Sequence, residues 1–148
     1  MSMFAGMNHT ASALTAQRLR MDVAAGNMAN AETTRGQMVD GEWQPYRRKM
    51  VTMGSGAQSS FASHLRAAEN RANGVQVTGI VEDETPFEQM YAPGHPDANE
   101  EGMLFLPNVD PLKEMVDIMG ATRSYEANVT VFDAHKGMMM KALEIGRT

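Results

Sequence analysis

Among the side chains able to do chemistry, one group lies close enough in sequence to be weighed together: His95, Asp97, Glu100 and Glu101. Imidazole nitrogen and carboxylate oxygen are common ligands of divalent cations, and the same groups can exchange protons near neutral pH. Either use needs the ligands held in fixed geometry. Here they sit among Pro93, Gly94 and Pro96 in a turn, not on a helix that would set their spacing, and His9, His64 and His135 belong to other stretches. The pattern reads as a solvated turn, so no metal and no catalytic residues are expected. With no cysteine in the chain, thiolate ligands, disulfides and nucleophilic thiols are excluded. There is no glycine-rich phosphate loop and no nucleophile elbow. The expectation is a protein that is not an enzyme and needs no cofactor.

The charge balance narrows the partners. A net charge of -5 argues against nucleic acid or an anionic membrane surface as the main partner, because no basic stripe offsets the acidic excess. The one basic cluster, Arg47, Arg48 and Lys49, reads as the solvated face of a strand or loop, and Asp83 and Glu84 before Pro86 read as an ordinary turn. The opening MSMFAGMNHTASALTAQRLRM lacks a basic region followed by an apolar run, so a cleaved secretory signal is not expected. Nothing reaches transmembrane length, and direct membrane insertion is not expected either.

The element that must organise such a chain is the stretch DPLKEMVDIMGATRSYEANVTVFDAHKGMMMKALEIG, residues 110–146. Asp110 can accept hydrogen bonds from the free amides of a first turn, Pro111 suits the first helical position, and Gly146 suits a helix stop. Between them Met115, Ile118, Thr122, Tyr125, Val129, Phe132, Lys136, Met139 and Leu143 recur in steps of three and four, which predicts a coiled-coil seam with polar interruptions. At 1.5 Å per residue the helix would be on the order of 50 Å long. Met138, Met139 and Met140 sweep about 200° of its circumference, more than one partner helix can cover. Two readings stay open: the centre of a bundle within one chain, or a helix that meets several neighbouring subunits. Asn128 and Asp133, polar on an otherwise apolar helix, either set register in an assembly or face water.

Residues 8–30 carry a second helical pattern, with Ala11, Leu14, Arg18, Met21, Ala25 and Met28 at steps of three and four and either Asn8 or Thr10 as cap. Its seam is light in large side chains, so it should be marginal alone and order on packing. After the polar segment AETTRG the periodicity changes. Residues 43–53 predict an edge strand interrupted by Pro45, and residues 54–64 a mobile, polar loop. Residues 74–82 alternate as a half-buried strand with Val75, Val77 and Val81 on one face; a short apolar piece follows around Phe87, Met90 and Tyr91, and residues 102–109 give a further strand. The predicted fold is mainly α with a small β insert. Residues 1–35 and 109–148 would be terminal helices pairing as a coiled-coil-like hairpin, and residues 36–108 a central antiparallel β unit with loops.

Three segments carry a resemblance to a known family. MDVAAGNMANAETT, residues 21–34, looks like an Asn-rich signature around Asn27 and Asn30, although Gly26 stands where an Asn is usual. PYRRK at residues 45–49 with GVQVTGIVEDETPFEQMYAPGHPDANEEG at 74–102, and LPNVDPLKEMVDIMGATRSYEANVTVFDAHKGMMMKALEIGR at 106–147, extend the match over most of the chain. Together they resemble the flagellar basal-body rod proteins. The resemblance implies a structural subunit of the proximal rod, exported unfolded without a cleaved signal and polymerised helically in the periplasmic part of the basal body into a torque-transmitting shaft that also forms part of the export conduit. Its expected partners are copies of itself, other rod proteins including the distal rod, and proteins at the junction of membrane ring and export gate. The assembly interface is expected at Leu14, Met21, Asn27, Met28, Asn30, Met115, Ile118, Tyr125, Val129, Phe132, Met139 and Leu143. A competing expectation from a different class is a cytosolic helical-hairpin adaptor that binds one partner helix.

Overall fold

A computed structural model describes residues 3–39, 41–55 and 74–146. Two helices, α1 (Met3–Ala29) and α2 (Pro111–Ile145), frame the chain and pack together. Between them lie β1 (Gln37–Val39), β2 (Glu42–Gln44), β3 (Lys49–Ser55), β4 (Val75–Glu82), β5 (Glu88–Tyr91) and β6 (Met103–Leu106). The strands form three separate two-stranded ladders, β1 with β2, β3 with β4 and β5 with β6, where the sequence suggested a single β unit. β1–β2 and β5–β6 are antiparallel, with Met38 opposite Trp43 and Met90 opposite Leu104. Gly41, at a φ of 89°, turns the chain between β1 and β2 in a conformation that costs glycine little.

The ends of α2 follow their sequence signals. Asp110 Oδ1 accepts from the Leu112 N–H at 3.0 Å and the Lys113 N–H at 3.4 Å, which caps the first turn. The Gly146 N–H donates to the Ala142 carbonyl at 3.1 Å and closes the last. For α1 the expected start at Asn8 or Thr10 is corrected: the helix begins at Met3. Thr10 is an interior residue whose hydroxyl donates back to the Gly6 and Met7 carbonyls at 3.1 and 2.9 Å. These first turns pack closely on α2: Gly6 lies directly against the His135 imidazole, and a Cβ there would sit 2.9 Å from its Cε1.

The expected single strand over residues 43–53 is also corrected, since it divides into β2 and β3. The intervening backbone bonds elsewhere: the Tyr46 N–H goes to the Thr33 carbonyl at 3.1 Å and the Arg48 N–H to Asn108 Oδ1 at 2.8 Å, so no ladder can run through. β3 extends through Ser55, into the expected loop, whose residues 56–64 lie outside the described residues. In β4 only Val77 of the expected apolar face is half-buried, and Val75 and Val81 are exposed.

Contacts group the described residues into two compact units. The first contains residues 3–20, 51–55, 74–79 and 120–146. Here the beginning of α1 meets the later part of α2, and the fully buried side chains are small: Thr10, Ala16 and Ala121. Ser12 joins β4 to α1 by accepting the Val75 N–H at 3.2 Å, and Thr52 and Thr78 bond across β3 and β4 at 3.0 Å. The second unit contains residues 21–39, 41–50 and 80–119. Its buried apolar side chains are Ala24, Leu104 and Val109, together with Pro45 and Pro107, and beside them lie the polar Asn27 and Glu114. Gly36 runs so close to the Tyr46 backbone that a Cβ would lie 2.6 Å from its N and Cα atoms.

The predicted seam of α2 is half right. Ile118, Thr122, Tyr125, Phe132 and Met139 are half-buried, but Met115, Val129, Lys136 and Leu143 are exposed. The sheltered line runs 114, 118, 121, 125, 128, 132, 135, 139, one residue off at every second step. The inner places go to Ala121, Asn128 and His135 in place of Thr122, Val129 and Lys136, because close helix approach selects the small Ala121 and the flat imidazole that meets Gly6. In α1, Leu14, Met21 and Met28 are half-buried as the seam requires, while Ala11, Arg18 and Ala25 are exposed and Thr10, Ala16 and Ala24 take the inner places.

Gly26 lies within α1 with open space where a Cβ would stand. Gly26→Ala is therefore expected to raise stability by about 0.5–1 kcal/mol, the helix-propensity difference, read as a higher urea midpoint with unchanged slope.

Candidate functional site

Two features of the molecule stand out as functional: a polar network at the heart of the second unit, and apolar side chains left exposed along the helices. The network is centred on Asn27, whose residue surface is 1% exposed. Its Nδ2 donates to the Lys49 carbonyl at 2.8 Å and to Glu114 Oε2 at 2.9 Å, and its Oδ1 accepts from the Lys49 N–H at 2.9 Å and the Tyr46 hydroxyl at 3.0 Å. The amide pairs with Lys49 as a strand neighbour would, receiving the N–H and meeting the C=O. Two donors and two acceptor sites are thus all used inside the chain. The Asn27 amide is therefore fully engaged within its own chain.

Glu114, in the first turn of α2, is equally buried at 1%. Its other oxygen, Oε1, takes the Arg48 Nε at 2.6 Å, while Arg48 Nη1 reaches Asp83 at 3.4 Å and Nη2 reaches Asp117 at 3.5 Å. The reading of Arg48 as part of a solvated basic face is therefore wrong. Burial alone would lower the Arg48 pKa, but the Glu114 and Asp83 carboxylates outweigh it and hold the guanidinium more firmly protonated than usual. Burial, with Glu114 and Glu82 nearby, raises the Tyr46 phenol above its ordinary value. Asp83 does form the expected turn, accepting from the Thr85 N–H at 3.0 Å and hydroxyl at 2.9 Å; these bonds, with Arg48, hold its carboxyl below the usual range. Asn108 completes the enclosure, donating to the Asp83 carbonyl at 3.0 Å. The flanking cations stack on rings, Arg47 over Phe87 at 4.6 Å and Lys49 over Tyr46 at 5.7 Å.

Sequence reading singled out neither Glu114 nor its link to Arg48. A charged residue in a helix's first turn usually faces water, and only its seven-residue spacing from Ala121 marks it as part of the inner line.

The His95 turn is tied to its own surroundings. Asp97 accepts from the Thr34 hydroxyl at 2.8 Å and pairs with the Arg35 guanidinium, and both contacts hold its carboxyl below the usual range. The Asp97 N–H donates to His95 Nδ1 at 3.1 Å, so that nitrogen already serves as an acceptor. Among the described residues no three His, Cys, Asp or Glu side chains converge as metal ligands do.

The second feature is apolar. In the first unit Phe4, Val129, Val131, Met138, Met140, Leu143 and Ile145 are exposed on the helices; in the second, Leu112, Met115, Val116 and Met119 are exposed on α2. Asn30 stays local, its Nδ2 donating to the Gly26 carbonyl at 2.8 Å at the end of α1. Asn128, left open between two roles by the sequence, donates to the Ser124 carbonyl of its own helix at 2.8 Å. No described helix is long and apolar enough to cross a membrane.

The terminal helices pair yet keep apolar side chains uncovered, and comparison with known proteins gives the class of the chain. A family model described as flagella basal body rod protein matches residues 7–36, and one described as flagellar basal body rod FlgEFG protein C-terminal matches residues 100–145. The chain is 55% identical to flagellar basal-body rod protein FlgC of Bacillus subtilis strain 168 over 150 aligned positions, covering 99% of this chain and 100% of that one. It is 43% identical to the FlgC of Escherichia coli O6:H1, with 92% of each chain covered, and 37% identical to that of Borreliella burgdorferi, with 98% of each covered. The chain is a flagellar basal-body rod protein, in a family that is structural and not enzymatic. Within it, the chain belongs to the FlgC family.

Two predictions concern the network. Glu114→Ala leaves Arg48 short of its main counter-charge and is expected to cost about 3–5 kcal/mol in urea unfolding, whereas Arg48→Met combined with Glu114→Leu costs less than the sum of the single changes. Because the Asp83 pKa is depressed in the folded state, its contribution is present above the unfolded value of about 4 and is lost as pH falls through the lower folded value. The urea midpoint should fall with acid below about pH 4, and Asp83→Asn should flatten that dependence.

Proposed function

We propose that this chain polymerises helically, with copies of itself and with other rod proteins, through the uncovered faces of its terminal helices. The polymer is the proximal part of the shaft, in the periplasmic portion of the basal body, between the junction of membrane ring and export gate and the distal rod. It transmits torque and encloses part of the export conduit. In this reading residues 1–35 and 109–148 supply the shared helical core, and residues 36–108 are an insert that shapes each subunit's outer contacts.

The observation that carries the reading is the exposure of large apolar side chains along helices that already have a partner. Leu143 is 69% and Ile145 76% exposed near the end of α2. Burying one such side chain contributes about 1.5–3 kcal/mol, so a few per contact, repeated with several neighbours, offset the cost of association. Contacts that join unlike faces of successive copies build an open helix when their rotation does not close. Within the expected interface, Met115, Val129 and Leu143 are free for neighbours. Leu14, Met21, Met28, Ile118, Tyr125, Phe132 and Met139 are shared between the intramolecular seam and the outside, and Asn30 lies at the rim.

The test is a subunit carrying Val129→Glu and Leu143→Glu. Both positions are exposed, so unfolding of the purified chain should change by no more than about 0.5 kcal/mol. Incorporation into isolated basal bodies and swimming should both be lost, because each carboxylate would have to be buried without a partner. Native incorporation of this variant refutes polymerisation through α2. A discrete one-to-one complex with a single partner helix, seen by light scattering, favours the adaptor instead.

A further inference from the structure

The apolar surface of α2 has a specific chemistry. Of fifteen methionines in a chain without cysteine, three stand in succession at 138–140, so every sulfur in the molecule is a thioether. Met138 is 54% and Met140 56% exposed, while Met139 between them is half-buried in the seam. Their apolar neighbours Leu143 and Ile145 are more exposed still. Successive positions on a helix differ by about 100°, so Met138 and Met140 present their sulfurs on two different sides of α2. Lys141 is engaged with Glu144, Nζ to Oε2 at 3.0 Å, which leaves the cation of this turn paired along the helix surface.

We infer that Met138 and Met140 form an oxidation-sensitive modification site: in the unassembled subunit a hydroperoxide converts them to sulfoxides, and the modified subunit is excluded from the polymer. The inference rests on polymerisation through α2. A sulfur lone pair attacks the outer oxygen of hydrogen peroxide and forms the S–O bond as the O–O bond breaks. The departing hydroxide takes up the proton, so thioether and peroxide become sulfoxide and water. Sulfur is oxidised by two electrons and peroxide reduced by two. The product replaces a polarisable apolar group with a strong dipole and acceptor. On a face that a neighbour must cover, that acceptor loses its water and gains no donor, and association weakens by about tenfold or more for each sulfoxide buried. Met38, Met90, Met115 and Met119 are similarly exposed and oxidise as well. Met138 and Met140 differ in standing three to five residues before Leu143, on a surface proposed to be covered on several sides.

The test has two readouts. The purified full-length chain is exposed to dilute hydrogen peroxide and its sulfoxides are mapped by peptide mass spectrometry over time. Met138 and Met140 should oxidise at least about fivefold faster than Met139, because accessible thioethers react first. In cells lacking the native chain, Met138→Gln with Met140→Gln reproduces the polarity of the sulfoxide, and Met138→Leu with Met140→Leu keeps the face apolar. The Gln pair should reach isolated basal bodies at a level at least about tenfold lower, with helix content unchanged by circular dichroism, and the Leu pair at the native level. Equal oxidation of all three methionines, or native incorporation of the Gln pair, overturns the inference. Failure of the polymerisation reading shows separately, as native incorporation of the Val129→Glu and Leu143→Glu subunit.

Discussion

The bidentate pairing of the Asn27 side chain with the Lys49 backbone, closed by Glu114 and Arg48, is the constraint on which the second unit depends. One amide on α1 takes the place of a neighbouring strand, and one carboxylate at the start of α2 joins that amide to a guanidinium. Apolar burial could not do the same. The unit's buried apolar side chains are few and mostly small, and dispersion between small side chains is weak and indifferent to orientation. Hydrogen bonds to charged groups are directional and short, so they fix where segments lie, but only while every member keeps its partner. Asn27 and Glu114 each meet that condition. A single deletion in such a network is costly because it leaves the remaining charge or donor buried alone.

Economy of apolar burial has a second consequence, seen along the helices. Among the described residues the chain hides mainly Ala16, Ala24, Leu104, Val109 and Ala121 and leaves most of its larger apolar side chains part-exposed or exposed. Scattered singly, these would be ordinary for a protein surface. Here they recur along α2, from Leu112 and Val116 near its start to Leu143 and Ile145 near its end. The helix pair leaves these side chains outside its own seam. It can hold its form through small residues that approach closely, as Gly6 does against His135, while its larger side chains remain available to other chains.

The sequence made the existence and type of the main elements legible, and the limits of α2 nearly to the residue, because Asp110, Pro111 and Gly146 act through local backbone chemistry. The strands near 75, 88 and 103 were legible for the same reason, being bounded by turn residues. What escaped was decided by tertiary contact. The first turns of α1 lie against α2, where Gly6 meets His135. The seam of α2 turns on Ala121 and His135, which periodicity of large side chains passes over. Arg48 and Glu114, 66 residues apart, each look like surface charges until the fold brings them together. Likewise the four hydrogen bonds that Asn27 makes to Tyr46, Lys49 and Glu114 join segments far apart in the chain, which its local sequence does not announce.

These two economies suit one another. If large apolar side chains had been used to fix the second unit, fewer would remain for neighbours, and a buried apolar core could rearrange to cover any that did, because burial has no preferred direction. A saturated polar network resists that rearrangement, since sliding one segment would strand several donors and acceptors together. Methionine suits the exposed side of the same design. Its unbranched thioether adapts to neighbours of different shape, as a subunit meeting both its own copies and other rod proteins would require. Directional bonds inside and compliant apolar groups outside together let a small chain keep its own form while its larger apolar side chains stay uncovered.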